Sequence, residues 1–210
     1  MSKKKVILAI IILLLVLIVG KSLAYFTDTK SKNHSFNTFT VGNVQITLTT
    51  PNFNKSEHTH AELGEHIPYD PTITVIGSEK AYLFAIVENP IIQEGEDIIK
   101  YDVNDGWQQI SQYYEGKTKF VLYAFKENSV LKKVSRRDQT TIFDNIVYIN
   151  NTTGTDAEGE YILIDNFGIK VSAYAIEAKA VDENNTIADT WNLIVNQYSD
   201  NQNLSKFKFE

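Results

Sequence analysis

Beyond residue 36, hydrophobic and polar positions alternate with a period of two along most of the chain. Val44, Ile46 and Leu48 alternate with Gln45, Thr47 and Thr49, the pattern of a strand with one buried and one wet face. The same β-branched and aromatic enrichment predicts strands over residues 72–76, 81–87, 119–125, 141–149, 161–164 and 169–178. Pro51-Asn52, the stretch from Pro68 to Pro71, Asn89-Pro90, Asn104-Asp105-Gly106 and the run from Asn150 to Gly154 separate them. Such residues favour turns because they fix φ, tolerate left-handed backbone or bond their own main chain. Strands punctuated at this rate predict an all-β fold, an antiparallel β-sandwich.

One segment departs from that period. Ile187, Trp191, Ile194 and Tyr198 recur at the spacing of one helix face, with Asn185 or Thr186 available as the cap. A short helix over 187–197, laid on the sandwich with Trp191 as its anchor, follows. Residues 199–210 read as a loose polar tail, and residues 42–198 as one sandwich domain.

The N-terminus changes the picture of where the protein works. Lys3, Lys4 and Lys5 precede 14 unbroken apolar residues, Val6 to Val19, and then Gly20-Lys21-Ser22-Leu23-Ala24. A basic region, an apolar run and small residues at positions −3 and −1 make a secretory signal, with Ser22 and Ala24 at those positions and Tyr25 as the first mature residue. The alternative is an uncleaved anchor. Fourteen residues at 1.5 Å rise reach roughly 21 Å, short of the roughly 30 Å hydrocarbon core. Residues 1–24 are therefore expected to leave the chain, so that contact with the membrane is transient and the product is secreted.

Removing those residues takes away four lysines and no acid. The remaining 186 residues carry 16 bases against 26 acids, a net charge of −10. So acidic a chain does not suit nucleic acid, whose phosphates need a basic field. There is no cysteine, which excludes disulfides, thiolate metal sites and cysteine nucleophiles.

Catalytic patterns are sparse. His58, His60 and His66 stand with Glu57, Glu62 and Glu65 within ten residues, ligand types that zinc or copper accept. The zinc-protease helix motif needs two histidines four apart with glutamate directly after the first, and the stretch lacks it; the inverted motif fails because residue 62 is glutamate. These histidines are weak metal candidates beside a reading as a polar loop, and no cofactor is expected. No Gly-x-Ser-x-Gly elbow and no phosphate-binding glycine loop occurs. Trp107, Tyr113 and Tyr114 form a candidate sugar platform, set against ordinary core or rim packing.

The segment released by the cut is rich in Thr, Ser and aromatics: Tyr25-Phe26-Thr27-Asp28-Thr29-Lys30, then Phe36-Asn37-Thr38-Phe39-Thr40-Val41. An arm over 25–41 can pair with an exposed sheet edge of another copy, burying Tyr25, Phe26, Phe36, Phe39 and Val41. The competing reading makes it the first strand of its own sandwich, and composition does not separate the two.

These residues resemble a known family. The signal ending in Ala24, the junction Ala24-Tyr25-Phe26-Thr27-Asp28 and the strand Phe39-Thr40-Val41-Gly42-Asn43-Val44-Gln45-Ile46-Thr47-Leu48 are similar to the TasA/camelysin family. Residues 67–75 and 78–88, Gly106-Trp107, 171–178 and Trp191 extend the likeness over most of the chain. The resemblance implies a jelly-roll-like sandwich, export with a signal peptidase of the SipW type, and assembly into biofilm-matrix or cell-surface fibres by N-terminal strand exchange between copies. Accessory matrix or surface proteins are implied as further partners. No Leu-Pro-x-Thr-Gly signal or second apolar run follows Trp191, so retention at the surface is expected to depend on self-assembly or a partner. Camelysin relatives carry a metalloprotease label, which no motif here supports. The expectation is a non-enzymatic structural subunit; a secreted metalloprotease using His58, His60 and His66, or a surface adhesin, are the alternatives.

Overall fold

A computed structural model describes residues 37–41, 44–53, 60–61, 63–77, 79–149, 161–162, 168–198 and 201–209, all within one compact unit, His34–Glu210. Among the described residues the fold is mostly β, with every strand pair antiparallel and one α-helix near the C-terminus. Alternation in the sequence becomes alternation in burial along β2 (Val44–Thr49), where Val44, Ile46 and Leu48 are inside. In that sheet β1 (Asn37–Val41) lies outside β2, followed by β5 (Thr72–Val75) and β11 (Gln139–Thr141).

A second sheet runs β14 (Lys170–Glu177), β6 (Ala81–Pro90), β9 (Thr118–Glu127) and β8 (Trp107–Glu115), with β10 (Val130–Leu131) paired to the far end of β9. The β9–β10 turn uses Asn128 (φ 49°) and Ser129 (φ 67°), both left-handed as a type I′ hairpin requires. Leu83, Ala85, Val87, Val121, Tyr123, Val171, Ala173 and Ala175 of this sheet face Val44, Ile46, Leu48, Ile73 and Val75 of the first. Each such side chain contributes about 1.5–3 kcal/mol when fully withdrawn from water, so this interface dominates the stability.

Residues 141–149 are not one strand. The chain breaks at Ile142–Asp144 between β11 and β12 (Asn145–Tyr148), just as Tyr69–Pro71 separates β4 (His66–Pro68) from β5. The register survives the break: Thr74 faces Gln139 on one side of it and His66 faces Val147 on the other. Ile142 N donates to Pro71 O (2.9 Å) and Tyr69 N to Asp144 O (3.2 Å), carrying the ladder past residues that leave strand geometry. Phe143 uses the gap to enter the core, where it is fully buried with its ring tilted against Tyr101 at 4.6 Å. Beyond the break, β12 also pairs with β7 (Ile99–Lys100). A separate two-stranded ladder joins β3 (His60–Ala61) to β13 (Tyr161–Ile162).

The outer face of the second sheet is also covered. Phe84, Ile86, Leu122, Ala124, Tyr174 and Ile176 pack under the helix α1 (Ile187–Gln197), which explains why β6 is buried almost continuously rather than alternately. The helix begins where its capping pattern predicts: Thr186 Oγ1 accepts from Asp189 N (3.1 Å) while the Asp189 carboxylate accepts from Thr186 N (2.9 Å). That bonding to Thr186, side chain first and backbone second, holds the Asp189 carboxyl below the usual carboxylate range. Trp191 is the anchor, 1% exposed and 5.4 Å from the Phe84 ring.

The expected loose tail is corrected. Residues 202–206 form a 3-10 turn, Leu204 and Phe207 are buried, and Trp191 Nε1 donates to Leu204 O (3.2 Å). Ser111 Oγ donates to Lys208 O, and Lys206 Nζ pairs with Glu115 (2.7 Å). Leu204 and Phe207 lie three residues apart among polar neighbours, too few positions to show a period.

Candidate functional site

The expected assembly arm falls partly within the described residues. Its last five positions form β1, whose register sets Phe39 opposite Ile46 and Val41 opposite Val44 of the same chain. Tyr25, Phe26 and Phe36 lie outside the described residues, as do the processing positions Ser22 and Ala24.

Among the described residues, β1 pairs with β2 alone and β8 with β9 alone, so each is an outer strand. The two occupy opposite flanks. The Cα atoms of β14 come within 8 Å of β1 and β2, closer than the roughly 10 Å between packed sheets, and the sandwich narrows there. On the other flank β8 is nine residues long and carries neither lysine nor proline, two of the devices that blunt an edge.

Sequence periodicity missed β8 because a bulge interrupts it. Pairing shifts by one residue between Gln109 and Ser111, leaving Ile110 as the extra residue. Before the bulge Trp107 stands opposite Phe125 and belongs to the inter-sheet core; after it Tyr113 stands opposite Phe120 under the C-terminal segment. Two residues of like parity therefore lie on opposite faces, and the candidate sugar platform of Trp107, Tyr113 and Tyr114 is not assembled. Trp107 is 3% exposed and donates from Nε1 to Thr140 Oγ1 (3.1 Å). Tyr113 stacks on Phe120 at 4.6 Å, and its hydroxyl is buried without a partner. Burial, then the nearby Glu115 and Glu88, push that hydroxyl up to about 12.

The histidine stretch falls only partly within the described residues. His58 lies outside the described residues, and His60 stands in β3. His66 is exposed in β4 with Nδ1 3.3 Å from Asn145 Oδ1. Among the described residues no group of three His, Asp or Glu side chains is arranged to hold a metal ion. No described helix is long and apolar enough to cross a membrane.

An open groove of about 840 Å³ lies beside the 3-10 turn Ala178–Ala180. Lys80, Lys133 and Lys179 line it together with Glu79, Asp182 and Glu183, and Lys179 pairs with Glu79 at 2.5 Å. The charges balance, so the groove presents no field for a singly signed ligand. A buried aromatic file runs from Phe53 through Tyr69 and Phe143 to Tyr101 and Tyr123, whose hydroxyls meet at 3.1 Å. Burial raises the hydroxyl of Tyr101 far above its ordinary value, and Tyr123 adds to the effect.

Comparisons with protein families, with curated proteins and with solved structures give no match to this chain.

Proposed function

We propose that this chain is a secreted structural subunit, built as a jelly-roll-like sandwich, that assembles by N-terminal strand exchange into extracellular matrix or cell-surface fibres. The observation that carries the reading is the position of two of the outer strands, β1 and β8. The first described element, β1, lies on one flank of the sandwich, and the long edge of β8, free of lysine and proline, lies on the other. A donor on one flank and an acceptor on the other make a heterologous contact, which propagates rather than closing. The arm also has the charge for it. Residues 25–36 contain Lys30 and Lys32 against Asp28, whereas residues 37–210 hold 14 bases and 25 acids. A signal peptidase of the SipW type is the partner during export, and accessory surface proteins are partners of the fibre.

The core does not depend on the arm, because Val44, Ile46, Leu48, Ile73 and Val75 supply the buried face of the first sheet. A chain beginning at Thr40 is therefore expected to stay folded and monomeric. The test is negative-stain electron microscopy of the chain beginning at Tyr25, concentrated at neutral and mildly acidic pH, where partial protonation of carboxylates relieves the repulsion. Filaments are expected from that chain and from none lacking residues 25–36, and Gln112→Lys with Tyr114→Lys in β8 should shorten or abolish them. Monodisperse particles under every condition would refute the assembly.

A further inference from the structure

At one end of the second sheet, the strand register and a returning loop place three polar side chains, Asn89, Lys119 and Asp97, on neighbouring positions. Asn89, near the end of β6, stands directly opposite Lys119 of β9. The pair two residues along, Val87 and Val121, belongs to the inter-sheet core, so Asn89 and Lys119 share that inward face. Directly opposed residues place their Cβ atoms about 4.5–5.5 Å apart, within reach of a lysine amine and an asparagine amide. Asn89 is 1% exposed. Its Nδ2 donates to Ile99 O (2.9 Å), while its Oδ1 is buried with no hydrogen-bond partner. An amide oxygen withheld from water and left unbonded is costly, by about 1–3 kcal/mol, and few occur in native proteins.

The third group is Asp97. After Pro90 the chain loops back, with Ile91 bridged to Asp97 and Ile98 N donating to Pro90 O (3.0 Å). This brings the Asp97 carboxylate to Lys119 Nζ, at 3.0 and 3.4 Å from its two oxygens. Both side chains are largely withdrawn from water, at 20% exposed for Lys119 and 29% for Asp97. A nucleophile thus has a carboxylate that can carry its proton in contact with it, and faces across the ladder an amide whose oxygen lacks a donor.

We propose that Lys119 and Asn89 join in an intramolecular amide bond, with Asp97 as the proton carrier. Asp97 takes a proton from the Lys119 ammonium, and the freed amine adds to Cγ of Asn89. The protonated Asp97 donates to Asn89 Oδ1 as negative charge develops there, supplying the bond that atom lacks. Collapse of the tetrahedral adduct breaks the Cγ–Nδ2 bond. Nδ2 leaves with protons from the amine and from Asp97 as ammonium, and Asp97 returns to carboxylate. One lysine ammonium and one carboxamide become one secondary amide and one ammonium ion, so atoms and charge balance without oxidant or metal. The bond closes a loop through β7 and β8 and ties β6 to β9. In a chain without cysteine it supplies the covalent constraint that disulfides supply elsewhere.

Intact-mass spectrometry of the purified, folded full chain tests this directly. The expected mass is about 17 Da below that of the sequence, the loss of one ammonia. Trypsin should then fail to cut after Lys119 and release residues 81–100 joined to residues 118–126 as one branched peptide. Lys119→Arg keeps a cation for Asp97 but has no amine to acylate, and it should restore the sequence mass and linear peptides. Asp97→Ala should slow crosslinking at least tenfold while leaving both reacting groups present. The sequence mass in folded protein held for days between about pH 7 and pH 9 would overturn the proposal. So would a deficit of the same size with linear peptides, which marks cyclised asparagine instead. The branched peptide of the unaltered chain decides the matter even if a variant fails to fold.

Discussion

Phe207 measures how much of the stability resides in the C-terminal segment. It is 4% exposed, its ring meets Tyr113 edge-on at 4.8 Å and Trp191 at 5.9 Å, and it sits beside the fully buried Leu204. Truncating such a side chain to alanine costs about 3–5 kcal/mol, the transfer of the ring to water plus the cavity left over Trp191. The same substitution in a solvated tail shifts stability by no more than about 0.5 kcal/mol. The two readings therefore differ by well over fivefold. Urea unfolding followed by tryptophan fluorescence is the assay, since Trp191 reports on the cavity itself. With a slope of about 2 kcal/mol per molar urea, Phe207→Ala should lower the midpoint by roughly 1.5–2.5 M at unchanged slope. The variant should also be cut by trypsin after Lys206 faster than the unaltered chain, because the segment's main hold on β8 is gone. A midpoint within about 0.25 M of the unaltered chain would refute the claim that the segment completes the outer layer.

Two further outcomes follow from local geometry. Gly106 turns at φ +90°, and a Cβ there would lie 2.5 Å from Phe125 Cε2, so Gly106→Ala combines left-handed strain with overpacking against a ring packed on Trp107. A loss of about 2–4 kcal/mol is expected in thermal unfolding, and a loss under about 0.5 kcal/mol would show that Phe125 simply moves aside. Burial pushes Tyr69, Tyr148 and Tyr198 up to about 12, above their unfolded value near 10. The unfolded chain releases those protons first, so stability is intact below about pH 10 and declines as pH rises from there toward 12. Ultraviolet titration should show these tyrosines ionising together with unfolding, and smooth titration of every tyrosine near pH 10 in a folded chain would contradict their burial.

Covering both faces of one sheet has a consequence for any assembly. In that sheet only strand edges then remain to meet another copy, since the outer face of β6, β9 and β14 is already occupied by α1 and residues 201–209. A contact through main-chain edges uses hydrogen bonds that alternate along the strand, with side chains contributing register more than area.

What was legible in the sequence was legible for local reasons. The helix is legible over Ile187–Gln197 because its apolar spacing and its cap at Thr186 are both local features. The strands of β2, β5, β6, β9 and β14 follow from side-chain alternation or apolar runs, which depend on a strand's own faces. Tertiary pairing alone decided the rest. The break between β11 and β12 is invisible in the string because Ile142 and Phe143 are as apolar as strand residues, yet the facing prolines remove the donors that would continue the ladder. The bulge at Ile110 hid β8 and sent Trp107 and Tyr113 to opposite faces, since register belongs to a pair of strands and not to one. The tail docks because a hydrophobic sheet face needed a cover, and no pattern within residues 199–210 records that need. Asn89, Asp97 and Lys119 stand apart in a chain of many polar residues, and only the β6–β9 register and the loop returning to Pro90 set the amide opposite the amine and the carboxylate against that amine.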